Sequence, residues 1–209
     1  MIDVLCEPWC ARCGAPIAGV VASGAVCGRC RESAPKFGKA RAVARYGASD
    51  DASADPLGAI LRRHKYGLDQ SLGRALAECL GEQLAVDARD YDVIVPVPLH
   101  WRRLYWRGFN QAALLARVLA RRMALPVDVD SLARIRATVS QTAQSSKERR
   151  RNVRGAFAVR RPERVAGKRV LLVDDVITTG ATADECARVL KASGALAVDV
   201  FALARRIWS

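Results

Sequence analysis

The sequence lacks any hydrophobic run long enough to cross a membrane, which takes roughly 18 consecutive apolar residues. Its longest uncharged stretch, residues 13–28, is rich in glycine and alanine and is bracketed by cysteines, so we interpret it as a loop. Residues 1–10 also lack the basic start and apolar core of a secretory signal. We therefore expect a cytoplasmic protein with no membrane insertion.

Acidic residues are the minority charge: 34 lysines and arginines stand against 21 aspartates and glutamates, for a net charge of +13. Residues 101–165 hold 16 basic and only 4 acidic residues, so almost the whole excess lies there. A concentrated basic field attracts polyanions. Two ligand classes fit it, a nucleic acid backbone and a small molecule with several phosphate groups. The alternative is that some of these arginines belong to a solvated surface that binds no ligand.

Aromatic residues are few as well, at 6% of the chain. Four of them nevertheless share one short segment with three arginines: Trp101, Arg102, Arg103, Tyr105, Trp106, Arg107 and Phe109. Aromatic rings among cations are what base stacking along a single nucleic acid strand requires. The alternative is that some of these rings simply belong to the core.

Cysteine is not scarce, and four of the seven cysteines fall into two C-x-x-C knuckles. Cys10 and Cys13 form the first knuckle, and Cys27 and Cys30 form the second after a gap of 13 residues. Two such knuckles let four thiolates converge on one tetrahedral Zn²⁺ ion. So short a module buries too little apolar surface to fold alone, so a structural zinc would supply folding free energy. The alternative, a pair of disulfides, is disfavoured by the missing secretion signal.

The other cysteines and the change of pattern after the knuckles indicate two modules. Cys6 stays open as an extra or substitute ligand, because its spacing is one residue too long for a knuckle. Cys79 and Cys186 lie on apolar faces of helical patterns, so we expect both to be buried. We assign residues 1–36 to a zinc-ribbon module and residues 37–209 to a larger domain.

Short apolar runs alternate with helical patterns through the larger domain. This alternation predicts an α/β fold, a parallel sheet flanked by helices, with ligands at the carboxyl ends of the strands. The predicted strands cover residues 40–46, 91–97, 170–173 and 198–203, with a short one within 126–138. The predicted helices cover residues 56–65, 71–85, 110–123 and 183–193, and residues 138–154 are predicted to form a polar loop.

The most specific stretch is residues 170–182, where an apolar strand ends in two adjacent carboxylates, Asp174 and Asp175. Small and hydroxylated residues follow as a loop: Thr178, Thr179, Gly180, Ala181 and Thr182. Loop N–H groups before a helix can hold a phosphate, and paired carboxylates can accept hydrogen bonds from a ribose diol. The stretch is neither a Walker A loop nor a Rossmann fingerprint. The alternative is that the stretch is only a turn between a strand and a helix. In that case the two adjacent carboxylates would repel each other without any gain in stability.

Basic segments are expected to meet this stretch at the same edge of the sheet. The turn after the strand at 91–97 offers N–H groups and cations for a diphosphate: Pro98, Leu99, His100, Arg102 and Arg103. Arg107, just before the helix at 110–123, is a further diphosphate candidate. Lys147 and Arg149 lie in the polar loop, which can close over a leaving group and neutralise its charge. The alternatives are that His100 has only a structural role in the turn and that residues 138–154 form a solvated linker.

Residues 170–182 closely resemble the phosphoribosyl diphosphate (PRPP) motif of type I phosphoribosyltransferases, an apolar strand followed by Asp-Asp and a Thr- and Gly-rich loop. The resemblance implies that Asp174 and Asp175 bind the 2- and 3-hydroxyls of the ribose. It also implies that residues 178–182 wrap the 5-phosphate and that Mg²⁺ is bound together with PRPP.

The full order of motifs resembles the ComF family. Its members join an N-terminal zinc ribbon to a phosphoribosyltransferase-like domain. The order runs from the four-cysteine ribbon through His-Lys-Tyr at 64–66, PVPLH at 96–100, RGFNQ at 107–111, the stretch 141–153, Gly-Ala-Phe at 155–157 and the Asp-Asp motif. The resemblance implies a role linked to DNA uptake, competence or nucleotide metabolism.

Two functions of different classes follow. The first is a phosphoribosyltransferase that moves a phosphoribosyl group from PRPP to a nitrogen acceptor and releases diphosphate, with Asp174 and Asp175 as its catalytic carboxylates. The second is a non-catalytic accessory protein that binds single-stranded DNA, or proteins of a DNA-uptake machinery, through the ribbon and the basic surface. No residue stands out as a general base for the acceptor, so the sequence favours PRPP binding more strongly than turnover.

Overall fold

The computed structural model describes Cys10 and residues 26–32, 34–46, 86–138 and 146–206. The helices in these ranges are α1 (Gly28–Glu32), α2 (Trp101–Arg107), α3 (Gln111–Met123), α4 (Ser146–Val153) and α5 (Ala181–Ala192). The strands are β1 (Ala40–Tyr46), β2 (Val93–Pro96), β3 (Leu132–Arg134), β4 (Phe157–Val159), β5 (Arg169–Ile177) and β6 (Ala197–Arg206). The helices predicted at 56–65 and 71–85, and the cysteines at positions 6, 13 and 79, lie outside the described residues.

Four strands form a parallel sheet in the order β1-β6-β5-β2, and β3 pairs with β4 as a separate antiparallel hairpin. Residues 170–173 of the inner strand β5 are at most 1% exposed. Strands that are buried on both faces read as continuous apolar runs in parallel sheets. The predicted α/β fold, a parallel sheet with flanking helices, is therefore confirmed.

Alternate residues of β5 enter two core layers, as the two-residue period of a strand requires. Val170 and Leu172 pack in the layer that contains Cys186 of α5. Leu171 and Val173 pack in the opposite layer, together with the apolar face of α3. The burial predicted for Cys186 is confirmed, since its side chain is fully buried.

Strand β5 and helices α4 and α2 are among the elements that differ from the sequence-based expectations. Strand β5 continues to Ile177, because its pairing with β6 runs on past the apolar residues. A helix, α4, occupies residues 146–153, where a loop was predicted; this segment contains no glycine or proline to break it. Helix α2 was read as a turn, because its large apolar side chains face outward and leave no periodic buried stripe.

At the amino ends of the strands, one carboxylate ties three segments together. Asp199 of β6 accepts a hydrogen bond from Lys39 N (2.8 Å), just before β1, and another from the Tyr91 hydroxyl (2.9 Å), just before β2. Burial and the charge of Asp199 raise the pKa of Tyr91 above its ordinary value. Hydrogen bonds to Asp199 thus join β6 to the segments before β1 and β2 at the amino edge of the sheet.

Glu185 fastens α4 to α5. Its carboxylate is 7% exposed and accepts hydrogen bonds from Gly155 N (2.8 Å), just beyond α4, and from Arg188 Nη2 (2.7 Å). The hydrogen bond from Arg188 holds the pKa of Glu185 below its ordinary value of 4.5. Burial alone would raise this pKa, and the hydrogen bond from Gly155 N also lowers it. A lowered pKa in the folded state means that the carboxylate stabilises the fold above its unfolded-state pKa.

We expect Glu185→Gln to lower the free energy of unfolding at pH 7 by about 1–3 kcal/mol, the usual effect of disrupting a buried charged hydrogen bond. The stability contributed by this carboxylate should disappear as the pH falls through its folded-state pKa, so wild type and variant should converge in acid. Urea denaturation at several pH values measures both effects. Glu163→Gln, at an exposed glutamate, is the matched control, and an equal loss in both variants would contradict the assignment.

Candidate functional site

The carboxyl edge of the sheet opens where β2 ends. The pairing of β2 with β5 stops at Pro96 and Val173, and Val97 N adds one last hydrogen bond to Val173 O (2.8 Å). Strand β5 continues beside β6 as far as the pair Ile177 and Arg205. Among the described strands, residues 174–177 are therefore bordered by β6 alone. Ligands of parallel α/β sheets bind at such places.

Asp174 and Asp175 are half-buried in this unpaired part of β5. Oδ1 of Asp174 accepts a hydrogen bond from Asp175 N (2.9 Å), and Oδ1 of Asp175 accepts one from Val176 N (2.8 Å). Because successive strand residues point to opposite faces, the two carboxylates leave the backbone on different sides. Asp174 lies on the α5 side, since its charge adds to burial in raising the pKa of Cys186.

The loop after β5 leads directly into α5. Gly180 caps the helix with φ at +76°, a conformation that other residues adopt only with strain, and Ala181 N donates to Thr179 Oγ1 at 3.4 Å. Helix α5 begins at Ala181 rather than at residue 183, so Ala181 and Thr182 contribute first-turn N–H groups. Those N–H groups and the helix dipole form a site that favours an anion.

The segment ahead of β1 supports this loop from behind. Lys36 N donates a hydrogen bond to Asp184 Oδ1, in the first turn of α5. Phe37 is 4% exposed, and a β-carbon placed on Gly180 would lie 3.7 Å from its Cζ atom. The loop therefore rests on residues that connect the cysteine module to the sheet.

The turn at residues 97–100 lies at the end of β2, beside Asp174. Asn110 caps α3 and donates from Nδ2 to Val97 O (3.0 Å), which fixes the turn against that helix. His100 is buried and caps α2, its Nδ1 accepting from Arg102 N at 3.4 Å. Burial lowers the pKa of His100, and the nearby arginines lower it further, so the imidazole is neutral at neutral pH.

The predicted diphosphate ligands divide into several groups. Arg102 is exposed and its guanidinium lies 5.2 Å from the Trp101 ring centroid, whereas Arg103 is half-buried and donates to Thr138 O at 3.2 Å. Arg107 is 9% exposed and donates to Gln111 Oε1 at 3.5 Å, so it lies within the joint between α2 and α3. Pro98 and Leu99 are half-buried in the turn. Arg149 is half-buried on α4, and the side chain of Lys147 lies outside the described part of the chain.

One cationic residue at this edge was missed by the sequence interpretation. Arg134 ends β3, is half-buried, and donates from Nη2 to Thr138 Oγ1. Its guanidinium lies 5.3 Å from the ring centroid of Phe157, its partner in the β3–β4 pair. The only sequence signal was a three-residue Leu-Ala-Arg run in a basic segment, too short to distinguish from its neighbours.

The aromatic segment is divided by the fold. On α2, Trp101 and Trp106 are each 64% exposed and Tyr105 is 90% exposed, while Phe109 is 7% exposed. Phe109 is therefore part of the core, as the alternative interpretation allowed. The other three rings form, with Arg102, an exposed surface that we call the α2 aromatic surface.

Three of the four predicted zinc ligands converge. Sulfur atoms of Cys10, Cys27 and Cys30 lie within 4.8 Å of one another, and Cys10 and Cys30 are buried. Cys30 N donates to Cys27 O at 3.0 Å, which is the tight turn of a knuckle. Three sulfurs around one point fit tetrahedral zinc coordination, whereas a disulfide joins only two. Cys13 would supply the fourth ligand.

The chain is similar to characterised domains and proteins. Residues 110–207 match the family described as phosphoribosyl transferase domain. The DNA utilization protein YhgH of Escherichia coli K12 is 35% identical over 204 residues, 95% of this chain and 84% of that protein. Competence protein F of Haemophilus influenzae is 33% identical over 205 residues, 95% of this chain and 85% of that protein.

Among solved structures, glutamine PRPP amidotransferase from Bacillus subtilis superposes with a TM-score of 0.42 at 26% identity, covering 62% of this chain and 25% of that one. No helix in the described part of the chain is long and apolar enough to span a membrane. The two relatives are matched over most of their length, and the matched domain includes the strand, loop and helix of the candidate site. The chain belongs to the ComF family of competence and DNA utilization proteins, with a phosphoribosyltransferase-type domain.

Proposed function

We propose that this protein binds PRPP at the carboxyl edge of its sheet and transfers the phosphoribosyl group to a nitrogen acceptor, releasing diphosphate. One observation carries the proposal. A single strand, β5, presents two half-buried carboxylates and then runs through a glycine-capped loop into a helix N-terminus, beside the open end of β2. That order of groups matches the order of diol and 5-phosphate in PRPP.

Each part of the site has a role in this proposal. Asp174 and Asp175 accept hydrogen bonds from the ribose 2- and 3-hydroxyls. Residues 178–182 surround the 5-phosphate with N–H and hydroxyl groups. We assign the diphosphate to cations of α2, Arg102 and Arg103, which follow the turn at residues 97–100. Neutral His100 holds the start of α2 in place as its N-cap.

The reaction exchanges one bond for another at the anomeric carbon. The bond from C1 of the ribose to the diphosphate oxygen breaks, and its electron pair leaves with diphosphate. The lone pair of the acceptor nitrogen forms the new C1–N bond, and the acceptor proton passes to solvent. Half-buried aspartates offer the oxygen ligands that Mg²⁺ prefers, and Mg²⁺ bound with PRPP would neutralise charge on the diphosphate.

Calorimetric titration of PRPP into the protein, with and without Mg²⁺, tests the binding step. We expect saturable one-site binding that Mg²⁺ strengthens, and weaker binding of ribose 5-phosphate, which lacks the diphosphate. If PRPP binds, nitrogen heterocycles can be screened as acceptors by the release of diphosphate. If the protein does not bind PRPP at millimolar PRPP concentrations, the proposal is refuted.

A second function, binding of single-stranded DNA, is favoured by one specific observation. The α2 aromatic surface exposes three large rings next to Arg102, in the part of the sequence with the highest excess of positive charge. Bases stack on such rings with little regard to sequence, while cations track the phosphates. Because this surface begins directly after the turn at residues 97–100, a bound strand would lie beside the proposed PRPP site.

We expect Trp101→Ala/Trp106→Ala to weaken binding of a fluorescent oligothymidine by about tenfold or more, since each stacked base contributes about 1–3 kcal/mol. The logarithm of the wild-type affinity should fall steeply with the logarithm of salt concentration, by about 0.7 per phosphate contacted. Fluorescence anisotropy measures both. Leu196→Ala, at another exposed apolar residue (70% exposed), is the control, and equal affinities of all three proteins would refute the surface.

A further inference from the structure

Residues 34–37 connect the cysteine module to the sheet, and we call them the linking segment. Helix α1, which carries Cys30, ends at Glu32, and Gly38 N already donates to Val198 O of β6 at 2.8 Å. The chain therefore has only residues 33–37 in which to pass from one to the other. Pro35 lies within this stretch, and its ring restricts φ. The linking segment is thus a short connection with little backbone freedom.

The linking segment also contacts the loop at residues 178–182 and the helix that follows it. Phe37 is buried in the same core layer as Ala181, and a β-carbon placed on Gly180 would lie 3.8 Å from its Cε1 atom. Lys36 N donates a hydrogen bond to Asp184 Oδ1, in the first turn of α5. The ring of Phe37 therefore lies behind the residue whose positive φ turns the loop into α5.

The hydrogen bond to Asp184 bears on anion binding. The N-cap of α5 is Gly180, so no cap side chain accepts a hydrogen bond from the first-turn N–H groups. A free carboxylate in that turn competes with a phosphate for those N–H groups and repels it. Lys36 N engages one oxygen of this carboxylate instead. The position of the linking segment therefore affects how well the helix N-terminus accepts a phosphate.

At its other end, the linking segment follows the cysteine cluster. Cys10 and Cys30 are buried, and their sulfurs converge with that of Cys27 as zinc coordination requires. A module this small obtains much of its folding free energy from such an ion. Without the ion, α1 would lose its restraint, and so would the start of the linking segment.

We propose that the linking segment couples the cysteine cluster to the loop at residues 178–182, with Phe37 as the positioning residue. Zinc at the cysteines then strengthens the binding of a phosphate monoester at the loop, and the phosphate strengthens the binding of zinc. The phosphate as ligand rests on the proposed function; the contacts of the linking segment do not. Coupling between two sites is reciprocal, so both affinities change by the same factor, which is typically about fivefold or more.

Two titrations of the full chain measure the two directions of the coupling. Calorimetry with ribose 5-phosphate compares zinc-loaded with zinc-depleted protein, and competition with a chromophoric chelator measures zinc affinity with and without saturating ribose 5-phosphate. We expect zinc depletion to weaken ribose 5-phosphate binding by about fivefold or more, and ribose 5-phosphate to strengthen zinc binding by the same factor. Ribose, which has no phosphate, should leave the zinc affinity unchanged.

The variant Phe37→Leu tests the path of the coupling. It keeps a buried apolar side chain but removes the ring behind Gly180, so both coupling factors should fall toward one. Leu190→Val is the matched control, because it shortens a fully buried side chain of the same core layer near the other end of α5. It should retain the wild-type coupling. If Phe37→Leu is not stably folded by circular dichroism, Phe37→Met takes its place.

The outcomes separate the coupling from the function on which its ligand rests. Equal ribose 5-phosphate affinity with and without zinc, or wild-type coupling in the Phe37 variant, would overturn the inference alone. A protein that binds ribose 5-phosphate in a zinc-dependent way but does not bind PRPP would refute the proposed function and retain the coupling. Binding of neither ligand would refute both.

Discussion

Replacing both Asp174 and Asp175 by asparagine is expected to weaken PRPP binding by about a hundredfold or more. Each carboxylate is proposed to accept a hydrogen bond from a ribose hydroxyl, and a charged hydrogen bond contributes about 1.5–3 kcal/mol. Asparagine keeps an oxygen that can accept from the following backbone N–H, as both aspartates do now. The local fold should therefore survive while the charge is lost.

The control for this change is Asp90→Asn, an exposed carboxylate at the opposite, amino edge of the sheet. It should leave PRPP affinity at the wild-type value. The single variants are informative too, because the two carboxylates leave β5 on opposite faces and need not contribute equally. Unchanged PRPP affinity in the double variant would mean that the ribose is bound elsewhere.

Replacing Cys27 by serine is expected to remove bound zinc and unfold the N-terminal module. A structural zinc site supplies about 10–16 kcal/mol of apparent binding free energy, which a module of this size cannot replace by apolar burial. Metal analysis of the gel-filtered protein measures the zinc, and limited proteolysis measures the order of the module. The wild type should hold about one zinc per chain, as one ion needs all four thiolates.

Cys186→Ala provides a matched loss of a thiol. That cysteine belongs to α5 and is buried in the core, outside the cluster of three converging sulfurs, so the variant should keep its zinc. A wild-type protein purified without zinc, or a Cys27→Ser protein with a full complement, would each exclude the proposed metal site. Disulfide formation under the same conditions would favour the alternative that the four cysteines form a pair of disulfides.

Patterns with strong local causes were predictable from sequence. Strand β1 has the predicted bounds, because the residue pattern of a strand acts within a few positions. The α/β class followed from the alternation of such elements. The order of strands in the sheet was not predictable in the same way, since pairing depends on contacts between distant residues.

The site was predictable in its strand and loop but not in its surroundings. The Asp-Asp pair and the Thr-rich loop are contiguous, so one stretch of sequence contains them. Arg134 and Thr138 meet Arg103 only through the folding of the β3–β4 hairpin over α2, and no spacing in the chain encodes that meeting. Likewise, the burial of Arg107 against Gln111 depends on the angle between two helices.

The contacts of Lys36 and Phe37 affect any attempt to divide the protein. A boundary drawn at residue 36 treats the two modules as separable parts, yet Lys36 donates a hydrogen bond to Asp184 and Phe37 packs beneath Gly180. A shortened protein that began at Gly38 would retain every residue proposed to bind PRPP. It would still lose Lys36 and Phe37, which contact the start of α5 and Gly180 of the phosphate loop. The segment that links the cysteine module to the sheet is thus also part of the support of the ligand loop.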